Sequence, residues 1–363
     1  MKSKSKIAFV IDALPSLGGA EKVLFTALEV FPQADVFTLV YNKQVFTNTP
    51  LDKRCVKTSF IDCLPFSHRH HRLFLPMMPY AVEQFNLREY DTIISFSYAV
   101  AHGVRDFNHA RHISYTFTPM RYAWMDLNIN GTHNSRSKVM NQFMKAFREW
   151  DKKAASHVHK FVAVSQAVSK RIENAYHRKA EIIYPPVDVD RFAPAAVREN
   201  FYITVTRLVP HKRIDILIQA FSQLGLPLLI VGEGPELQHL AHIAKPCIHF
   251  LGFQPDWKVA ELLGKARGFV CVTEEDFGIA VVEAQAAGCP VIAYGKGGAL
   301  ETVIDEETGV FFSEQSPESL VEALQRFERI YPSFDGPHLV RNSHRFQREN
   351  FVSQFEALIP ESR

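Results

Sequence analysis

Short apolar runs alternate with stretches whose apolar residues recur three and four positions apart, and this alternation continues along most of the chain. Ile7–Ile11 is an unbroken apolar run of strand length, and residues 18–31 pass from a glycine pair into a helical pattern. Residues 35–40, 91–95, 111–115 and 160–164 read as further strands, and Gln166–Tyr176 as a helix. The second half repeats the arrangement, with strands near 201–206, 227–231, 247–251, 268–272 and 290–293 and helices between them. One of those helices is Ile214–Leu224, with apolar residues at Ile214, Leu217, Ile218, Phe221 and Leu224. Strands alternating with helices predict parallel sheets covered on both faces, an α/β chain of two Rossmann-like domains. Pro185, Pro186 and Pro194 favour an extended linker, which sets the domains at 1–190 and 191–343. A last helical pattern over 343–358, carried by Phe346, Phe351, Phe355 and Leu358, makes 344–363 a tail helix.

Size agrees with that organisation. At 363 residues the chain is too long for one ordinary core, and 47% hydrophobic with 22% charged residues is the composition of a soluble globular protein. No apolar run reaches the length that spans a bilayer, and the run at Ile7–Ile11 is too short for a signal sequence, so a cytoplasmic protein is expected. The five cysteines (Cys55, Cys63, Cys247, Cys271, Cys289) are odd in number and hold no Cys-x-x-Cys pair, which supports neither a disulfide framework nor a zinc site. The polar stretch over 125–150 looks like a mobile loop leading into a helix.

Charge adds an asymmetry. Residues 1–195 hold 26 Lys and Arg against 17 Asp and Glu, a net +9, and the remainder holds 15 against 22, a net −7. A basic N-terminal half fits an anionic partner such as a phospholipid surface or a lipid-pyrophosphate acceptor. Opposite charges would equally help two domains face each other across a cleft. His68-Arg69-His70-His71-Arg72 runs into Leu73-Phe74-Leu75-Pro76-Met77-Met78-Pro79-Tyr80. That mixture reads either as a membrane-interface patch or as a buried run beside a solvated basic loop.

The richest chemistry lies in Glu275-Asp276-Phe277-Gly278-Ile279-Ala280-Val281-Val282-Glu283. Gly278 follows a turn-prone run and precedes an apolar helical segment, so the amides of Ile279 and Ala280 at the helix start offer an anion site. Glu275 would lie on the loop ahead of that helix and Glu283 a little over one turn inside it. Two carboxylates around an anion site suit a ligand with hydroxyls at two places and a diphosphate between, such as a sugar nucleotide. A plainer reading is an acidic turn that favours the helix dipole. Arg207 and Lys212 follow the 201–206 strand, at the carboxyl edge where open α/β sheets bind ligands. Two cations there would hold a diphosphate and stabilise it as it leaves, unless they are only a solvated basic loop.

Three other segments bear on the chemistry. Asp188-Val189-Asp190 has an Asp-x-Asp form, but it lies in the linker and hard cations need several clustered oxygens, so no metal is assigned. Gly232-Glu233-Gly234 begins like a dinucleotide fingerprint, yet Leu237 stands where its third glycine belongs. Gly18-Gly19, after the first strand, is either an ordinary turn or a close backbone approach to a phosphate or sugar.

Together these segments resemble the retaining glycosyltransferases of family 4, which have the GT-B fold. The similarity runs in order through Val205-Thr206-Arg207-Leu208-Val209-Pro210-His211-Lys212, Val231-Gly232-Glu233-Gly234-Pro235 and Phe250-Leu251-Gly252. It continues through the Glu275 to Glu283 motif, Ala287-Gly288-Cys289-Pro290-Val291-Ile292-Ala293, Gly297-Gly298-Ala299-Leu300-Glu301 and Thr308-Gly309. In the N-terminal half, Gly18-Gly19-Ala20-Glu21, Leu75-Pro76-Met77-Met78-Pro79, Thr118-Pro119-Met120-Arg121-Tyr122-Ala123-Trp124 and Tyr184-Pro185-Pro186-Val187-Asp188 are similar to bacterial O-antigen and exopolysaccharide mannosyltransferases.

The resemblance implies two domains facing across a cleft, with the tail helix crossing back onto the N-terminal domain. It implies transfer of a hexose from a nucleoside-diphosphate sugar to a lipid-linked or polysaccharide hydroxyl, in envelope or exopolysaccharide synthesis. Neither a metal, another cofactor nor a nucleic acid takes part. Anomeric configuration is retained, and a departing phosphate oxygen accepts the acceptor's proton, which accounts for the lack of a second carboxylate as nucleophile. Glu275, Arg207 and Lys212 become the catalytic residues. Gly18, Gly19, Phe277, Gly278, Ile279 and Ala280 join them around the donor, with Gly252 and Phe253 at the base and Glu283 at the ribose. Phe117 and Tyr98 stand where the subgroup usually has histidine, His102 where it has lysine, and Thr206 where it has glycine. The first two departures weaken the mannosyl analogy and favour a UDP-glucose-type donor over GDP-mannose. They also leave open a sugar-nucleotide-binding protein of weak activity.

Overall fold

The computed structural model describes residues 5–105, 108–124 and 138–359, so most of the expected loop over 125–150 lies outside the described residues. Two compact units emerge. One comprises the described residues up to Pro186 and those from Phe351 onward, the other Val187–Asn350.

The first unit is built on seven parallel strands: β1 (Ile7–Ile11), β2 (Asp35–Thr38), β3 (Val56–Thr58), β4 (Thr92–Ser97), β5 (Arg111–Thr116), β6 (Lys160–Ala163) and β7 (Ala180–Ile182). Their order is β3-β2-β1-β4-β5-β6-β7. The chain steps outward from β1 to β3, returns to the far side of β1, and steps outward again. A topological switch therefore lies between β1 and β4, whose register runs from Ile7 opposite Thr92 to Ile11 opposite Phe96. All five β1 residues are buried, as an unbroken apolar run must be when helices cover both faces. Gln166–Tyr176 starts where the Ser165 hydroxyl accepts the Val168 N–H at 3.1 Å, an N-cap that satisfies one orphan amide.

The second unit repeats the plan with β8 (Tyr202–Val205), β9 (Leu228–Val231), β10 (Ile248–Gly252), β11 (Gly268–Cys271), β12 (Val291–Tyr294) and β13 (Gly309–Phe312). The order β10-β9-β8-β11-β12-β13 puts its switch between β8 and β11. Ile214–Leu224 buries Ile214, Leu217, Ile218 and Phe221, the face its periodicity predicts, and the Phe221 ring meets Tyr202 at 5.2 Å.

Three strands have no forewarning in the pattern. β3 and β7 are three-residue strands without a single buried residue, and β13 is a short run that opens on glycine. The tail differs from its expectation as well. Residues 343–358 are not one helix: a helix over Gly336–Ser343 passes through a tight turn at His344–Phe346, becomes extended at Gln347, and resumes as Arg348–Glu356. Phe346 serves the second unit, with its ring 5.3 Å from Phe277. Phe351 and Phe355 serve the first, where the Phe355 ring lies 6.3 Å from Phe9 and 6.0 Å from Phe96. The break divides one apolar pattern between two cores. The stretch after Pro186 is likewise no open linker, because Val187, Val189 and Phe192 are buried in the second unit and the Val187 N–H donates to Phe346 O at 3.1 Å.

Candidate functional site

At the switch of the second sheet, the loop after β8 is pinned by backbone bonds on both sides. Thr206 N–H donates to Val231 O at 2.9 Å, Leu208 N–H to Glu233 O at 2.8 Å, and Glu236 N–H to Leu208 O at 3.1 Å. Leu208 is buried, whereas Arg207 beside it is exposed and its guanidinium has no partner among the described residues. A tight turn at Pro210–Lys212 then leads into Ile214–Leu224. The Lys212 ammonium donates to Glu275 Oε1 at 2.5 Å, and its carbonyl accepts the Thr273 hydroxyl at 3.0 Å. These bonds tie the loop after β8 to the loop after its neighbour β11. An ammonium has three protons, so Lys212 keeps donors for an anion while it holds Glu275.

Glu275 is fixed from its other side. Its carbonyl accepts the Gly298 N–H at 2.8 Å, and Gly297 (φ +68) passes so close that a Cβ there would stand 2.3 Å from that oxygen. Gly278 takes φ +93 as the cap of the helix Ile279–Ala286, a conformation that side-chain-bearing residues rarely adopt. The amides of Ile279 and Ala280 have no acceptor among the described residues. The structure thus sets Arg207 and Lys212 after β8, and Glu275 and an open helix start after its neighbour β11, joined by the Lys212–Glu275 pair.

The other expected residues of the second unit lie on neighbouring elements. Glu283 is buried inside the same helix, and Arg191 Nη2 donates to its Oε1 at 3.0 Å while the second amino group binds Asp256. Arg191 was not foreseen, since it directly follows Asp188-Val189-Asp190, read as linker. Gly252 ends β10, with its carbonyl accepting the Gly232 N–H at 2.8 Å, and the Phe253 ring next to it is 74% exposed. Phe277, expected among the donor contacts, has its ring buried against Phe346. Gly18 and Gly19 belong to the first unit, at the start of the helix Gly19–Val30. Burial, with Glu275 nearby, pushes the Cys271 thiol up to about 12, so it stays protonated beneath the site.

The first unit's switch is filled differently. Asp12, directly after β1, is buried and accepts four amides from the turn after β4: Tyr98 at 2.6 Å, Ala99 at 2.9 Å, Val100 at 2.6 Å and Ala101 at 2.7 Å. Burial raises its pKa even against those four bonds. Next along the chain, His102 Nδ1 lies 2.9 Å from Ser97 Oγ and its Nε2 lies 3.0 Å from Asp151 Oδ1. Asp151 Oδ2 accepts from Trp124 Nε1 at 2.6 Å and from the Tyr176 hydroxyl at 2.8 Å. Burial disfavours the imidazolium, but Asp151 outweighs it and the His102 pKa is raised. Ser97, His102 and Asp151 have the parts of a nucleophilic triad, yet all three are buried and function as a structural network. Tyr98 and Phe117, the two departures, pair with each other at 6.4 Å between ring centroids.

Two family models match the chain end to end of one another: "Glycosyltransferase Family 4" over residues 17–191 and "Glycosyl transferases group 1" over 188–333. The chain belongs to the family 4 glycosyltransferases. This chain is 32% identical over 193 residues to the GDP-mannose-dependent alpha-(1-6)-phosphatidylinositol monomannoside mannosyltransferase of Mycobacterium tuberculosis, covering 44% of this chain and 50% of that protein. It is 34% identical over 178 residues to the D-inositol 3-phosphate glycosyltransferase of Mycobacteroides abscessus, covering 42% and 40%. The chain spans about half the length of the curated relatives it matches. Among solved structures, the sucrose-phosphate synthase of Thermosynechococcus elongatus superimposes with a TM-score of 0.76 at 18% identity, over 98% of both chains. Anabaena HepE in complex with UDP and glucose gives 0.73 at 18% identity, over 99% of this chain and 100% of that one. These likenesses establish the GT-B fold, with its two Rossmann-like domains, for the family 4 glycosyltransferase.

Proposed function

We propose that this protein transfers a hexose, with retention, from a nucleoside-diphosphate sugar to a hydroxyl of a lipid-linked or polysaccharide acceptor. What supports the reading is the placement, on neighbouring strand ends of one switch point, of an exposed arginine and two helix-start amides without partners among the described residues, together with a lysine that has spare protons. Arg207, Lys212 and the Ile279 and Ala280 amides bind the diphosphate and stabilise its growing charge as the sugar leaves. A phosphate oxygen then takes the acceptor's proton. Glu275, oriented by Lys212, accepts from the sugar hydroxyls. Glu283, oriented by Arg191, accepts from the ribose, and the exposed Phe253 ring with the Gly252 backbone meets the base. Gly18 and Gly19 join the donor-binding set on family resemblance. The unit up to Pro186 takes the acceptor and Val187–Asn350 the donor, with the chain from Phe351 returning to the first unit. No metal or other cofactor is needed, because positive charge is already supplied by side chains and amides. A lipid-linked acceptor puts the reaction at the inner face of the cytoplasmic membrane.

A UDP-hexose is the favoured donor, supported by the UDP-glucose-bound HepE structure and by the Tyr98–Phe117 pair that replaces the subgroup's histidines. GDP-mannose is the second reading, favoured by the mannosyltransferases among the relatives. Thermal-shift titration with UDP, GDP, UDP-glucose and GDP-mannose separates them. The true donor at a hundredfold over its Kd adds about 2.7 kcal/mol of stability. No shift with any nucleotide would sink the reading, and a shift without sugar transfer would leave a binding protein.

A further inference from the structure

Residues 60–83 of the first unit carry a surface that sugar transfer does not require. Ser67–His70, His71–Met77 and Met78–Glu83 form successive helical turns, and one side of the run is sunk into the unit. Ser67, Met78, Ala81 and Val82 are buried there, and Phe74 and Leu75 pack against the same core. The remaining positions break the usual rule for an outer face. Arg69, Leu73, Met77 and Tyr80 recur at intervals of three and four and are all exposed, Leu73 at 75% and Tyr80 at 62%. Phe66, also 75% exposed, sits in a left-handed turn (φ 64) immediately ahead of Ser67. Phe60 is exposed too, with its ring 6.0 Å from that of Tyr80.

Of the eleven large apolar side chains exposed among the described residues, five lie in this one segment, so the exposure is concentrated rather than scattered. A patch of this kind marks an interaction site. Its charge selects the occupant. His68, Arg69, His70 and Arg72 are exposed among these apolar residues, and the only acid within 60–80, Asp62, is engaged by His68 Nε2 at 2.9 Å. Cations beside protruding aromatic and aliphatic side chains match anionic headgroups lying over an acyl boundary.

We infer that residues 60–80 dock this chain on an anionic phospholipid surface, with Arg69 and Arg72 on headgroup phosphates and Phe66, Leu73, Met77 and Tyr80 in the acyl boundary. The docking complements the glycosyl-transfer reading, giving it access to an acceptor held in lipid, and is measured without any sugar donor. The full chain is sedimented with vesicles of phosphatidylcholine alone and of equal parts phosphatidylcholine and phosphatidylglycerol. It should bind the anionic vesicles, lose them as salt rises, and ignore the zwitterionic ones. Each surface arginine accounts for about fivefold in affinity, so Arg69→Glu with Arg72→Glu should weaken binding by more than about tenfold. Leu73→Asp with Tyr80→Asp should weaken it by at least as much, with unchanged thermal unfolding because both side chains are exposed. Equal binding to the two vesicle types, or undiminished binding by either double variant, overturns the proposal. So does a wild-type dimer in solution that Leu73→Asp dissolves, which would make the patch a self-association surface. Nucleotide thermal shifts on the same samples keep the two readings apart, since docking without nucleotide binding defeats only the transfer reading.

Discussion

At the β1–β4 switch of the first unit, the Asp12 carboxylate is saturated by four amides and His102 is enclosed by Ser97 and Asp151. At the β8–β11 switch of the second unit, Lys212 holds Glu275 with protons to spare, and the exposed Arg207 and the Ile279 and Ala280 amides have no partner among the described residues. Strand order and parallel pairing are the same up to the sixth strand, so topology alone supplies a crevice at both places. What separates them is whether the polar groups at the strand ends are satisfied from within. A saturated carboxylate rigidifies a turn and offers nothing to a ligand, whereas cations and amides left open at a fixed spacing are preorganised for an anion.

That contrast can be broken in three ways. The largest effect belongs to the open switch: Lys212→Ala should lower kcat/KM about a thousandfold, near 4 kcal/mol of transition-state stabilisation, with the thermal midpoint almost unmoved. Near-normal turnover by steady-state assay would remove the lysine from the mechanism. At the closed switch the consequence should be stability instead. Asp12→Ala strips the acceptor from four amides and should cost the first unit roughly 3 kcal/mol or more in urea, followed by the fluorescence of Trp124 and Trp150, while nucleotide affinity stays as it was. Lost nucleotide binding with an unchanged urea midpoint would reverse the assignment of roles.

The third test concerns acid, and its effect builds gradually with each pH unit. His112, fully buried in the first unit, is held down to about 3 by burial, then by the nearby His102 charge. The unfolded imidazole takes a proton near 6.5 that the folded one refuses, so the first unit loses up to about 1.4 kcal/mol per pH unit between 6.5 and 3. His102, its pKa raised, works in the opposite sense: its stabilisation is present below 6.5 and is lost as pH climbs through the raised value. Asp12, also raised, gains rather than loses as pH falls. His112→Asn isolates the first contribution and should flatten the acid limb of a pH-dependent unfolding curve. Among the described residues the second unit buries no histidine, so its acid limb should not change.

Much of this was legible from local pattern. β1, Gln166–Tyr176 and Ile214–Leu224 were bounded correctly because an unbroken apolar run and a 3.6-residue period are properties of adjacent positions. The helix start after Glu275 was legible for a similar reason, since Gly278 ahead of an apolar helix announces it. Arg191 was not, because its meaning depends on Glu283, 92 positions away. Nor was the break at Gln347, which exists because Phe346 and Phe351 belong to different cores.

The order of residues by itself determined the α/β class, the two-domain plan, the family, and which loops bear cations and carboxylates, all consequences of spacing along the backbone. Only the tertiary structure decided that Lys212 holds Glu275, that Arg191 orients Glu283, that Phe277 turns inward, and that one switch point is closed and the other open. Each of those outcomes rests on which distant groups meet and how far water is excluded from them. Hydrogen bonding and burial act through space, and local periodicity carries no record of either.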